Sequence, residues 1–128
     1  MLKDNYLLDL NEKQKEAVLH INGPLLIVAG AGSGKTKVLT SRIAHIIKSH
    51  KAFSSQILAV TFTNKASKEM QLRVSKLLRK EATGLPWLGT FHSISSKILR
   101  KHADAAGLKS NFTIIDQDDQ IRLIKNIC

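Results

Sequence analysis

Lys35 and Thr36 close a run of small residues, Ala29-Gly30-Ala31-Gly32-Ser33-Gly34, and an ammonium and a hydroxyl at that position suit the handling of a phosphate chain. A tight turn leading into a helix aims several backbone N–H groups at one point, and the helix N-terminus adds partial positive charge there. Gly30, Gly32 and Gly34 permit positive φ and close approach of a ligand to the backbone. Lys35 would reach the β- and γ-phosphates of a nucleotide, and the Thr36 hydroxyl would ligate Mg²⁺. The strict pattern begins with Gly where this chain has Ala29, a departure of one methyl group. The plain alternative is a Gly-rich turn with no ligand.

Other residues carry weaker chemical signals. Phe62-Thr63-Asn64-Lys65 combines a ring with hydroxyl, amide and ammonium groups, a mix that suits single-stranded nucleic acid: the ring stacks on a base and the polar groups hold the backbone. Thr90, His92 and Ser93 cluster at a later strand-to-helix junction, where His92 alone reads first as a half-buried structural histidine. The Gln14 amide can pair with both the donor and the acceptor edge of adenine, yet Asn11 with Gln14 three residues later is also the pattern of a capping box, and locally the cap is the simpler reading. Asp116 could hold Mg²⁺ with Asp118 or Asp119 as base, or could cap the helix that follows; the amphipathic run Ile121, Leu123, Ile124, Ile127 favours the cap. His45 and His50 have no companion at metal-ligand spacing and read as surface or packing residues.

These residues need elements to hold them. Leu25 to Val28 reads as a short buried strand entering the glycine loop, and a helix from about Lys35 to Ser49 turns Val38, Leu39, Ile43, Ile46 and Ile47 inward. Ile57 to Phe62 is a second strand, and Thr63 or Asn64 caps a basic helix bearing Lys65, Lys68, Arg73 and Lys76, with Met70, Val74, Leu77 and Leu78 on its inner face. Trp87 to Phe91 is a third strand, emptying into a helix from Ser93 to Ala106 that Gly107 ends. Three strand-to-helix units predict an α/β protein with an open parallel sheet, whose ligands gather at the carboxyl ends of the strands.

A chain of 128 residues with 43% hydrophobic content can bury a core of about one domain. No apolar run is long enough to span a bilayer, and the N-terminus lacks the order of a signal peptide, so a cytoplasmic location and no membrane partner are expected. Cys128 is the only cysteine, which excludes a disulfide framework. The net charge is +10, and no Asp or Glu occurs between Ala17 and Lys68 or between Ala82 and Ala103. Such stretches suit a polyanion, with a solvated basic face as the bland alternative.

Leu10-Asn11 with Gln14, Ala29 to Thr36, Thr61 to Ala66 with Glu69-Met70 and Arg73, Gly89 to Ser93, and Asp116 to Gln120 together resemble the UvrD/Rep/PcrA-type DNA helicases of superfamily 1. The resemblance implies a P-loop NTPase (RecA-like) parallel sheet with flanking helices, incomplete here, with residues 1–107 as the start of the ATP-binding domain and 108–128 as the start of an inserted helical subdomain. It implies an ATP- and Mg²⁺-dependent motor moving 3′ to 5′ on single-stranded DNA in repair and replication restart. Gln14 would read adenine, and Ala29, Gly30, Ala31, Gly32, Ser33, Gly34, Lys35 and Thr36 would hold the phosphates. Phe62, Thr63, Asn64, Lys65, Arg73, Thr90, Phe91 and His92 would meet the strand.

The family carries Arg directly after the loop Thr, and Lys37 stands there, so a stacking guanidinium is replaced by an ammonium. The chain reaches Cys128 before the family's acidic Mg²⁺ and water-activating motif and before the second motor domain. Turnover by the chain alone is therefore not expected, and the C-terminal part of a helicase is an expected partner. A non-catalytic nucleotide- or DNA-binding remnant and a different small P-loop phosphotransferase, with Asp116 on Mg²⁺, are the alternatives.

Overall fold

The computed structural model describes residues 5–30, 34–78, 84–115 and 117–127. Ala31, Gly32 and Ser33 of the expected loop, and Asp116, lie outside them. Two units are described, Met1–Ile94 and Ser95–Cys128.

In the first unit a single turn, α1 (Asn5–Leu8), precedes α2 (Glu12–Leu19). Asn11 starts α2 because its backbone is extended (φ −77°, ψ 175°) and its Oδ1 accepts from the Gln14 N–H at 2.8 Å, while Asn11 N–H donates to Gln14 Oε1 at 2.9 Å. This capping box is worth about 1 kcal/mol. α3 (Lys35–Lys48) opens on Gly34, which is left-handed at φ 81° and ψ 28°. Its buried stripe is Val38, Thr40, Ser41, Ile43 and Ala44, whereas Leu39, expected inward, is exposed. Thr40 tolerates burial because its hydroxyl donates back to the carbonyls of Thr36 (2.9 Å) and Lys37 (3.1 Å).

A short 3₁₀ turn (Ser54–Gln56) leads to β1 (Ala59–Thr61), and α4 (Asn64–Leu78) crosses over to β2 (Leu88–Thr90). The strands pair in parallel with Ala59 opposite Leu88, Val60 opposite Gly89 and Thr61 opposite Thr90. Both are shorter than the β-prone runs that contain them. Met70, Val74 and Leu78 recur every four residues along α4 and are buried with Val18, Val38, Ile43 and Leu88 in one core. Full burial of Val74 or Leu78 contributes roughly 1.5–3 kcal/mol each.

The expected strand at 25–28 is absent: the segment is irregular, and Leu26 and Val28 are 86% and 88% exposed. A strand exists through hydrogen bonds to a neighbour, and among the described residues only β1 and β2 supply them to one another. The observed sheet is thus a two-stranded parallel pair with helices around it.

α5 (Phe91–Lys101) begins two residues earlier than the sequence suggests, because Thr90 caps it. In the second unit α5 ends at Lys101, short of the expected Ala106; a 3₁₀ turn (Asp104–Ala106) follows, and Gly107 (φ 71°) closes that turn instead of the helix. The Arg100 guanidinium donates to the Ser110 carbonyl at 2.9 Å and lies 4.3 Å from the centre of the Phe112 ring. α6 (Gln117–Ile127) has the expected amphipathic pattern, with Ile121, Ile124 and Ile127 exposed.

Candidate nucleotide and nucleic-acid site

Three of the predicted nucleotide residues, Gln14, Ala29 and Lys35, line one cavity. Gln14 from α2 and Lys35 from α3 line a hollow of about 160 Å³ together with Ala29 and Val38. The capping box fixes the Gln14 side chain by its Oε1, which leaves its amide nitrogen on the side of the loop. A methyl group built on Gly34 would stand 3.1 Å from that nitrogen, and Gly34 has the positive φ that L side chains rarely adopt. Space and backbone together leave room for glycine at this point. Thr36 lies in the first turn of α3, where N–H groups have no intrahelical acceptor.

An anion in this cradle would meet those N–H groups and the exposed Lys35 ammonium. Among the described residues no carboxylate lines the cavity, and no group of three His, Cys, Asp or Glu side chains could hold a metal. Thr36 offers a single hydroxyl, and a Mg²⁺ held there would take its other ligands from phosphate oxygens and water. Lys37 is turned away from this hollow: its Nζ donates to the Asp9 carbonyl at 2.9 Å, and the side chain borders a separate cavity of about 380 Å³ with Tyr6, Thr40, Arg73 and Lys76.

The carboxyl ends of β1 and β2 carry the second group. The parallel pairing puts the residues after Thr61 and after Thr90 at the same edge, and the rings of Phe62 and Phe91 meet there with centroids 5.1 Å apart, tilted by 41°. Phe62 is 89% exposed. Thr63 caps α4, its hydroxyl accepting from the Ala66 N–H at 3.1 Å, and Asn64 and Lys65 stand exposed on the first turn. Thr90 is only 8% exposed; its hydroxyl accepts from the Ser93 N–H at 3.1 Å and its carbonyl accepts from the Ser93 hydroxyl at 3.2 Å. Thr90 therefore shapes the start of α5, on which His92 is exposed. Gly89 makes that junction possible, since a Cβ there would lie 2.7 Å from Ser93 Oγ.

The model of the UvrD/REP helicase N-terminal domain matches residues 10–128 of this chain. The chain belongs to that family. DNA helicase II of Rickettsia typhi is 53% identical over 129 aligned positions, covering 99% of this chain and 19% of the relative. The ATP-dependent DNA helicases PcrA of Leuconostoc citreum and Staphylococcus epidermidis are 51% and 52% identical, covering 92% and 93% of this chain and 16% of each relative. The chain thus spans less than a fifth of the length of these curated relatives.

As a member of the UvrD/REP family the chain brings its motif segments to two places, the start of α3 and the carboxyl edge of the strands. Arg73 joins neither: α4 carries it to the cavity beside Lys37. Sequence reasoning did not foresee Tyr6 and Lys76 at that cavity. The α4 period was the available signal for Lys76, since Arg73 and Lys76 stand three apart on one face. Tyr6 precedes the family match and had no such signal; its hydroxyl pairs with His45 Nδ1 at 2.9 Å.

Proposed function

We propose that this chain is the ATP- and single-stranded-DNA-binding N-terminal segment of a 3′–5′ ATP-dependent DNA helicase of the UvrD/Rep type, with a P-loop, RecA-like arrangement around α3. The observation that carries the nucleotide half is the convergence of Gln14, Ala29 and Lys35 on one cavity beside left-handed Gly34. ATP phosphates bind at Gly30 to Thr36, Lys35 neutralises the β- and γ-oxygens, and Thr36 holds Mg²⁺. Gln14 turns toward adenine, with its capping bond to Asn11 fixing the amide. Phe62 and Phe91 offer stacking faces to bases, with Thr63, Asn64, Lys65 and His92 on the backbone and Thr90 holding the turn that presents His92.

Hydrolysis requires a carboxylate to order Mg²⁺ and the attacking water, and none of the described residues lining this cavity carries one. The chain binds ATP without turning it over, and gains turnover with the C-terminal part of a helicase. Calorimetry with Mg²⁺-ATP on the chain and on Lys35→Ala, with phosphate release followed with and without oligothymidylate, tests this. Binding lost in Lys35→Ala, no turnover alone, and DNA-stimulated turnover once a matched C-terminal part is added are expected. Turnover by the isolated chain, abolished by Asp116→Asn, would instead assign a different P-loop phosphotransferase.

A further inference from the structure

Lys37 and Arg73 both belong to motif segments, yet neither joins the Gln14 and Lys35 hollow or the strand edge. They meet in the cavity of about 380 Å³ between α1, α3 and α4, where Lys76 is a third cation. Positions 35 and 37 lie about 200° apart round a helix, so Lys35 and Lys37 serve opposite sides of α3. The cavity is therefore a place of its own and not an arm of the phosphate cradle. Its charge is unbalanced. Lys37, Arg73 and Lys76 share it with one carboxylate, the exposed Asp9, and none of the four forms an ion pair among the described residues. Lys37 spends a single donor on the Asp9 carbonyl, at 2.9 Å, and has two more. Three cations against one carboxylate leave a surplus of two positive charges, which an anion carrying at least two negative ones matches.

The inner wall supplies an independent observation. Ser41 lines the cavity and is only 2% exposed, and no hydrogen bond among the described residues involves its hydroxyl. Its neighbour Thr40 does otherwise, turning its hydroxyl back on the Thr36 and Lys37 carbonyls. Among the described residues no side-chain oxygen is both sealed from solvent and without a partner, so the Ser41 Oγ is the part of that residue that reaches the cavity. A polar donor held almost wholly inside the fold and aimed at a cationic hollow is costly unless something there accepts from it. Tyr6 forms another wall; it is buried and its hydroxyl is held by His45 Nδ1 at 2.9 Å, so it offers no open ring face to a base.

We propose that this cavity binds a small diphosphate-bearing anion, with Arg73, Lys76 and the remaining N–H groups of Lys37 around its oxygens and the Ser41 hydroxyl donating from the wall. A guanidinium and two ammoniums supply charged donors from several directions, which suits tetrahedral phosphates with charge on each group better than a planar carboxylate. A nucleic-acid strand needs stacking faces beside its phosphates, and the paired rings of Phe62 and Phe91 lie at the strand edge instead. The site goes beyond the helicase reading and does not depend on it.

The test is calorimetry with inorganic pyrophosphate on the Lys35→Ala chain, whose phosphate cradle has lost its ammonium. Saturable binding is expected, about tenfold weaker when Arg73→Gln or Lys76→Gln is added, both at exposed positions. Ser41→Ala should weaken binding severalfold without lowering the thermal midpoint, because its hydroxyl has no bond to lose. In the unaltered chain, pyrophosphate should shift the methyl resonances of Thr40 and Leu77, which line the cavity, a readout independent of any variant's folding. Malonate at equal ionic strength should not displace pyrophosphate. No saturable binding to Lys35→Ala, undiminished affinity in both Arg73→Gln and Lys76→Gln, or equal displacement by malonate overturns the proposal. A lowered midpoint with unchanged affinity in Ser41→Ala also overturns it, by making the serine structural. Oligothymidylate that displaces pyrophosphate and itself binds more weakly to Arg73→Gln overturns it too and assigns the cations to a DNA backbone.

Discussion

Replacing Gly34 by Ala tests whether α2 and the start of α3 are one mechanical unit. The backbone at φ 81° would put Ala in the left-handed region, at a cost of roughly 1 kcal/mol. The new methyl would also stand 3.1 Å from Gln14 Nε2, tighter than ordinary contact. Gln14 must then give by a few tenths of an ångström, and straining its Oε1 bond to the Asn11 N–H costs up to about another 1 kcal/mol through the cap. The expected total is up to about 2 kcal/mol, or a midpoint lowered by up to roughly 6–10 °C for a chain of this size. Thermal unfolding by circular dichroism reads it.

The two contributions separate in a double-mutant cycle. In a Gln14→Ala background the steric half has already gone, so Gly34→Ala should cost only about 1 kcal/mol there, a coupling of up to about 1 kcal/mol. An identical cost in both backgrounds would refute the reasoning, because the loop would then be strained without involving α2. Mg²⁺-ATP binding, measured alongside, should fall in Gly34→Ala even at temperatures where the chain remains folded.

Phe62→Ala and Phe91→Ala should each weaken oligothymidylate binding by about 1–3 kcal/mol, the value of one base stack, read by anisotropy titration. Thr90→Val removes the hydroxyl that caps α5 and should lower stability by about 1 kcal/mol in chemical denaturation, with a smaller effect on DNA affinity than either Phe variant. Tyr6→Phe removes the hydroxyl bonded to His45 and should cost about 1 kcal/mol by the same measurement.

Helices proved more legible than strands, and caps more legible than roles. The Asn11 and Gln14 pattern specified its capping box because both partners lie within one turn. The four-residue recurrence of Met70, Val74 and Leu78 fixed which face of α4 is buried. What local pattern could not give was the convergence of distant residues: Gln14 against Gly34, Phe62 against Phe91, and Arg73 beside Lys37 depend on how α2, α3, α4 and the strands pack. The Leu25–Val28 run has the composition of a strand, as Ala59–Thr61 does, but among the described residues only the latter has a partner, in Leu88–Thr90. Strand character belongs to pairs, and a single segment's sequence does not contain its neighbour.

That difference bears on how the loop is held. With 25–28 outside any sheet, the described supports of the cradle are helical: Val18 of α2 and Val38 of α3 share the core, and the Arg42 guanidinium of α3 donates through Nε and Nη2 to the His20 carbonyl at 3.1 and 2.8 Å, tying the end of α2 to the middle of α3. A charged donor on a backbone carbonyl contributes up to about 1.5–3 kcal/mol when shielded, and about 1 kcal/mol at this partly exposed site. Arg42 lines no part of the Gln14 and Lys35 cavity, so Arg42→Ala should act on nucleotide binding only by letting α2 swing away from α3 and carrying Gln14 with it. Calorimetry should show weaker Mg²⁺-ATP binding, and Arg42→Lys, with one donor in place of a fork, should recover part of it. Unchanged affinity in Arg42→Ala would mean that α3 and the glycines before it hold the cradle without α2.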